Sequence, residues 1–302
     1  MAGNGPGLLK AILFVNLHKK NAGAVADEIR KELEDQGSNV TIFSFDGHPG
    51  SFPDGTWDIA FSLGGDGTVL YAARMLAPTA TPILPVHLGT LGFLASVEMH
   101  EWPTVYQQWL AGIARLSRRC MFEISVERKG HSVYRNICLN DVVVSSLGIA
   151  KLIYLGVSTE TAPGESADLG CYRADGLVVA TPTGSTAYSM AAGGPIIDPE
   201  MEARIISPIC PFSLSNRPLV LPSRQTLYVT VEREQKSGVL LTVDGQDTFS
   251  LEGGDTVIIS HFPHYALLVT AGSSAYYLAL RKKLAWHMEN GSLGMTFGGG
   301  DA

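Results

Sequence analysis

The chain has 302 residues, 45% apolar and 17% charged, with a net charge of −7. This is an ordinary globular composition with room for two domains, and the acidic balance argues against nucleic acid as the main partner. No apolar run approaches the roughly 18–20 residues that span a bilayer, no signal-peptide core is expected at the start, and four cysteines (Cys120, Cys138, Cys171, Cys210) without metal spacing read as reduced thiols of a cytoplasmic protein.

Residues 8–16 form a short apolar run that ends in polar residues, a strand pattern. Residues 24–36 have helical spacing, with Val25, Ile29 and Leu33 on one face and Gly37 as a stop. Strands are predicted at 40–45, 59–63 and 81–87, and a helix at 69–76. This strand–helix rhythm predicts an N-terminal Rossmann-like α/β domain with a mostly parallel sheet. Ligands of such sheets sit beyond the carboxyl ends of the strands. At one such end stands Gly64-Gly65-Asp66-Gly67-Thr68, between a strand and a helix. Its glycines let backbone amides approach a phosphate. It is neither a P-loop nor a dinucleotide fingerprint, since GK[ST] and GxGxxG are absent. A carboxylate among phosphates makes sense as a metal ligand, or as a base for a hydroxyl about to receive a phosphoryl group.

Residues 102–114 read as a helix, and beyond 117 strand patterns take over, at 122–128, 132–139, 141–145, 152–159, 176–180, 226–231, 238–243 and 256–260. Short connections rich in Gly, Asp, Ser and Pro predict a second, all-β domain. The polar stretch 165–169 reads as an exposed loop, and Gly253-Gly254-Asp255 as a hairpin loop. The chain turns helical again at 276–287, ahead of a glycine tail at 298–300.

The longest motif runs from Arg173 through Asp175, a strand, and a turn with four hydroxyls between Thr181 and Thr186, to Gly193-Gly194-Pro195. Hydroxyls and free amides at a helix start suit a base, a sugar or an anion. Tyr188 suits either stacking on a base or the core. Asn140-Asp141 reads as a turn, and Asp244-Gly245-Gln246 between β runs as a hairpin.

Together, GGDGT, the LGTLGFL run at 88–94, Asn140-Asp141, the 173–195 segment, Asp244-Gly245-Gln246, residues 217–222 and residues 280–286 resemble the NAD kinase family in order and spacing over nearly the whole chain. GGDGT alone is shared with diacylglycerol and sphingosine kinases and phosphofructokinases; the 175–189 run is far more specific. The resemblance implies a phosphotransferase acting on an alcohol group. It would move a phosphoryl group from ATP, or another donor, to the 2′-hydroxyl of the adenosine ribose of NAD. It also implies an α/β domain (1–116 and 277–302, with the last helix returning to it), a β-sandwich-type domain (117–276), an active site between them, and a homodimer or homotetramer.

By the same resemblance, Asp66 is the catalytic base and Gly64, Gly65, Gly67 and Thr68 form the phosphate loop. Asn140 and Asp141 hold NAD, Thr186, Ala187, Tyr188 and Ser189 line its pocket, Arg173 and Asp175 flank it, and Gln246 borders it. Lys151 stands where some members bind substrate. The metal, Mg²⁺, is expected to be held mainly by substrate phosphates. Two positions depart from the family pattern: His87 stands where Asn is usual, and Asp141 where Glu is usual. The rival readings are a lipid kinase and a non-catalytic NAD(P)-binding sensor.

Overall fold

The structure is a computed structural model that describes residues 8–46, 51–162, 164–270, 272 and 275–285. The glycine tail, and Trp286 and His287 at the end of the predicted last helix, lie outside the described residues.

Strands β1 (Lys10–Asn16), β2 (Asn39–Phe45), β3 (Ile59–Gly64) and β4 (Ile83–His87) pair in parallel in the order β2-β1-β3-β4. Helices α1 (Ala22–Asp35) and α2 (Asp66–Leu76) connect them, and α3 (Trp102–Leu110) follows. Alternation along the strands sorts side chains to two faces. Leu13, Val15, Phe61 and Leu63 pack under α1 and α3, while Ile12, Phe14 and Ala60 pack under α2. Both faces are covered, so β3 is buried at every position, as its unbroken apolar run requires. The chain leaves β1 toward β2 on one side and returns to β3 on the other. The switch point therefore lies beyond Asn16 and Gly64, where an open α/β sheet binds ligands.

After β5 (Arg115–Arg119) come two antiparallel sheets. Their strands are β6 (Phe122–Arg128), β7 (His131–Cys138), β8 (Asp141–Ser146), β9 (Ile153–Ala162), β10 (Glu165–Ala174), β11 (Gly176–Ala180), β12 (Ala203–Ile209), β13 (Leu219–Pro222), β14 (Leu227–Val231), β15 (Val239–Val243), β16 (Asp247–Leu251) and β17 (Thr256–His261). The orders are β10-β9-β14-β17-β6-β7 and β13-β12-β11-β8-β15-β16. Alternate residues from both sheets, among them Ile124, Val126, Val142, Val144, Leu177 and Val257, meet in one core, so the two form a sandwich. A short helix, α4 (Tyr188–Ala191), and the segment after it cover the outer face of β8 and β11, where Val143, Val178 and Ala180 pack with Ala192 and Ile197.

The chain then re-enters the first sheet. Strand β18 (Ala266–Thr270) pairs in parallel with β4 and antiparallel with β5, and helix α5 (Ala275–Lys283) follows. The first sheet thus includes strands at 115–119 and 266–270, which the sequence patterns did not separate from the β domain. The run RLSRR is too charged to read as a strand, but it lies at the sheet edge, where one side meets solvent.

Two local expectations fail. The polar stretch 165–169 is not a loop but the start of β10, an edge strand with a bulge near Asp168 and Gly170 (φ 96°). Gly253-Gly254-Asp255 is not a hairpin, because β16 and β17 belong to different sheets. That loop crosses the sandwich edge, and its buried Asp255 is clamped by Arg128 through Nε (2.9 Å) and Nη2 (2.7 Å).

Candidate active site at the sheet switch point

Where β3 ends, Gly64 has no space for a side chain. A Cβ on Gly64 would stand 2.2 Å from Thr68 Oγ1 and 3.3 Å from Asn16 Cβ. Gly65 caps α2 in an extended conformation, and Asp66 is the first helical residue. Here the helix dipole favours a negative charge. The Asp66 carboxylate accepts three backbone amides from the 88–95 loop: Phe93 N–H at 2.9 Å, Leu94 N–H at 3.0 Å and Ala95 N–H at 2.9 Å. Lys283 on α5 brings Nζ to 3.9 Å from Asp66 and 4.7 Å from the Phe93 ring centre. Gly92 is the partner constraint: a Cβ there would lie 1.8 Å from Asp66 Oδ1. His87 bonds the same loop through Nδ1, which donates to the Gly89 carbonyl (2.9 Å) and leaves Nε2 buried without a partner among the described residues.

Asn140-Asp141 links β7 of one sheet to β8 of the other, so it is a crossing rather than a hairpin turn. The buried Asp244 carboxylate accepts the amides of Leu139 (3.0 Å), Asn140 (2.7 Å) and Asp141 (3.2 Å). Asp244 and Gly245 take φ of 51° and 65°, and the β15–β16 hairpin forms as expected. The hairpin tip also reaches the glycine loop: Gln246 Nε2 donates to the Gly67 carbonyl (2.9 Å), and Gln246 Oε1 accepts from Arg74 Nη2 (2.6 Å). Arg74 Nε lies 3.9 Å from Asp244.

Burial, then the neighbouring Asp244, pushes the Asp141 carboxyl up to about 7, although the Tyr188 amide bonds it. Burial also raises Asp244, while its three amides and Arg74 pull it back. Asp141 is therefore the member of the pair that keeps a proton near neutrality.

The 181–189 turn packs against Asn140. Thr181 N–H donates to the Asn140 carbonyl (2.8 Å), and a Cβ on Gly184 would stand 2.1 Å from that oxygen. Thr186 and Ala187 are half-buried, and the Tyr188 ring is 47% exposed, so it is not a core aromatic. Ser189 is different. It is fully buried and bonds Ser207 (3.2 Å).

Asp66, Gly67, Asn140, Asp141, Gln246 and the 186–188 turn are thus joined by direct contacts. Lys151, Arg173 and Asp175 are not part of this group. Asp141 opens β8 and pairs with Ala180 at the end of β11, whereas Asp175 precedes β11 and binds Ser146 N–H at the far end of β8. At roughly 3.3 Å per residue, β8 sets them more than about 15 Å from Asp141 within one chain. Arg173 stacks on Phe212 (4.2 Å) at that end, and exposed Lys151 follows β8 there.

Asn16, Gly92, Arg74, Asp244 and Lys283 join this group although none of them had a role there by sequence; Gly92, Asp244 and Lys283 stood only within the runs that resemble the family. Asn16 ends a strand, and a polar residue there is the only local signal. The others act through partners distant in sequence.

Residues 139–271 match the family model described as the ATP-NAD kinase C-terminal domain, and residues 51–114 that of the N-terminal domain. The chain is 40% identical to the NAD kinase of Treponema denticola over 279 residues, covering 92% of this chain and 96% of that one. It is 38% identical to the NAD kinase of Geobacter sulfurreducens over 285 residues, covering 92% and 98%. Its fold is similar to that of yeast NADH kinase complexed with NADH (TM-score 0.79, 24% identity, 93% of this chain and 89% of that one). It is also similar to an Archaeoglobus fulgidus NAD kinase in complex with ATP (TM-score 0.69, 22% identity, 91% and 98%).

Proposed function

The chain belongs to the NAD kinase family, and on that premise we infer that it moves the terminal phosphoryl group of ATP to the 2′-hydroxyl of the adenosine ribose of NAD. In that reaction the bond between the γ-phosphorus and the bridging oxygen breaks and ADP leaves. The 2′-oxygen bonds to phosphorus, and its proton passes to a base. NADP and ADP are the products.

One observation carries the assignment of roles. Asp66 is held by three amides at the helix start, in contact through Gly67 and Gln246 with the crossing that bears Asn140 and Asp141. An ionised carboxylate has about four lone-pair positions. Three are engaged by amides and fix its direction; the remaining position is on Oδ2, 3.9 Å from Lys283 Nζ, and is the one left for the 2′-hydroxyl. Asp66 is the base in this reading, a contribution of roughly 10²–10⁴-fold. Asn140, Asp141 and the exposed Tyr188 ring bind the acceptor's base and ribose, and Thr186 and Ala187 line its pocket. Among the described residues no three His, Cys, Asp or Glu side chains converge as a metal cage. The donor set fits an ion that arrives with the triphosphate, as Mg²⁺ commonly does. When bound, Mg²⁺ would neutralise the phosphate oxygens.

No described helix is long and apolar enough to cross a membrane. The free thiols, including exposed Cys171 and Cys210, support a reducing, cytoplasmic setting. A homo-oligomer is supported by the end of the sandwich remote from Asp66. There Leu147, Ile149, Phe212 and Leu214 are 61%, 98%, 65% and 86% exposed beside Arg173. The deciding assay incubates purified protein with Mg²⁺, NAD or NADH, and a panel of phosphate donors. NADP accumulating with ATP is the expected result; no NADP(H) with any donor removes the assignment.

A further inference from the structure

Phosphoryl transfer gathers negative charge at the reacting atoms, and the basic groups nearest the glycine loop are engaged elsewhere. Arg74 donates through Nη2 to Gln246 Oε1 (2.6 Å), and its Nε is 3.9 Å from buried Asp244. His87 donates to the Gly89 carbonyl (2.9 Å). Exposed Lys19 lies along the start of the loop, its Cε 4.0 Å from the point where a Cβ on Gly65 would be. Among the described residues, the cation that pairs with the Asp66 carboxylate is Lys283.

Lys283 comes from the far end of the chain. Strand β18 re-enters the first sheet beside β4, and α5 carries the side chain back to the 88–95 loop. The start of α5 is fastened by Tyr276, which donates to the Ile197 carbonyl (3.2 Å), and by Tyr277, which donates to Asp198 (2.7 Å). Ala279 and Leu280 bury the middle of the helix.

The position of the ammonium group is specific. It stands 4.7 Å from the centre of the Phe93 ring, whose face attracts a cation. It approaches Asp66 Oδ2, which accepts one amide, whereas Oδ1 accepts two. Nζ has three protons to donate and no acceptor among the described residues. Its distance from Oδ2, 3.9 Å, exceeds the roughly 2.7–2.9 Å of a direct charge-assisted hydrogen bond. Two bonds of about 2.8 Å that meet at one atom span 3.9 Å at roughly a right angle. That atom would donate a proton to Asp66 and accept one from Lys283. A hydroxyl does both, and an ionised phosphate or carboxylate oxygen does not.

We propose that Lys283 is a further catalytic residue of the phosphotransferase reaction: its ammonium donates to the 2′-oxygen of the acceptor on the side opposite the base, and then to the phosphate formed there. The proposal rests on the reaction assigned above and adds a group to it. As the 2′-oxygen bonds to the γ-phosphorus and the bond to the bridging oxygen breaks, the hydroxyl proton passes to Asp66. Lys283 keeps its own protons throughout and offsets the charge that develops on the 2′-oxygen and the transferred group. The product carries close to two negative charges where the substrate carried a hydroxyl. Lys283 therefore favours NADP over NAD.

Lys283→Met keeps an unbranched stem over Phe93 and removes the charge. Its kcat should fall about 10²–10³-fold, while KM for NAD and for ATP stay within about threefold of wild type. Lys283→Arg retains the charge and should recover at least about tenfold of that loss. Binding supplies a readout without turnover: by calorimetry in the absence of ATP, Lys283→Met should weaken NADP about tenfold or more and NAD by less than about twofold. Lys282→Met, at an exposed neighbour on the same helix, should change neither. If thermal melting shows that Lys283→Met does not fold, Lys283→Gln carries the same two readouts. The proposal is overturned if the neutral variant keeps more than about a third of wild-type kcat, if NAD and NADP weaken by the same factor, or if Lys283→Arg is no better than Lys283→Met. A wild-type protein that forms no NADP from any donor removes the reaction itself, whereas an unchanged preference for NADP over NAD in the variant removes Lys283 alone.

Discussion

Asp66, the proposed base, is a single carboxylate fixed by its neighbours. Three amides set its orientation, and what remains is one open direction. In Asp66→Asn one of the two oxygens becomes an NH₂ that faces an amide instead of accepting it. The variant should bind NAD and lose about 10²–10⁴-fold in kcat; near-normal turnover would remove Asp66 from the base role. Gly92→Ala tests the same geometry from the other side, because its methyl would lie 1.8 Å from Asp66 Oδ1. It should lower kcat and also lower the melting temperature, because a displaced carboxylate leaves three backbone amides without their acceptor; steady-state kinetics and thermal unfolding measure the two. Asp141 gives a pH prediction. Burial and Asp244 hold its carboxyl at about 7 in the fold against an ordinary 3.8. The folded state therefore binds this proton more tightly than the unfolded chain does. The stabilisation is complete below 3.8 and is lost as pH rises through about 7. Asp141→Asn cannot ionise, so its melting temperature should gain on wild type between about pH 5 and pH 8, and parallel curves would contradict the assignment.

At the scale of elements, the β15–β16 hairpin is the connector. Its turn was legible because Asp-Gly between β runs suits two positive φ values, and the hairpin has them. What the turn carries was not legible. Asp244 gathers three amides of the β7–β8 crossing, and Gln246 ties the tip to the first turn of α2. Asp244→Ala leaves three buried donors without an acceptor and should cost about 3 kcal/mol or more in urea unfolding. Asp244→Asn keeps one acceptor oxygen and tolerates the left-handed backbone, so its loss should be smaller. Strand length decided the opposite result for Arg173 and Asp175. Both are near the 181–189 turn in sequence, but the fully buried β11 carries the turn to the other end of the sheet.

Across the whole molecule, the last part of the chain closes the architecture. Strand β18 returns to the first sheet, and α5 then touches both halves: Tyr277 bonds Asp198 (2.7 Å) and Lys283 lies beside Asp66. The remote apolar end of the sandwich gives the prediction at this scale. Phe212→Glu places a charge at the centre of that patch, and light scattering should show a smaller species than wild type. A wild-type monomer, or an unchanged variant mass, would remove this face as the interface. Chelating divalent ions should abolish NADP formation, and adding Mg²⁺ should restore it; activity that persists in chelator would show that no divalent ion is required.

The sequence by itself determined whatever depends on short-range pattern. Apolar runs and periodicities set the α/β domain followed by β strands, and the glycine loop marked a strand end because three glycines around an acid have few other uses. The 173–195 segment stood out through its hydroxyls, but Thr181 and Ser185 are buried and donate to the Leu139 and Ile197 carbonyls within the fold. Only the tertiary structure decided which of these pieces meet. Gly92 touches Asp66, Asp244 holds Asn140, Lys19 lies on Gly65, and Ser189 is turned into the core. The physical reason is that each contact joins groups on different elements. Their separation is fixed by strand lengths, sheet order and the two crossings of the chain between domains, and none of these leaves a periodic trace in the sequence.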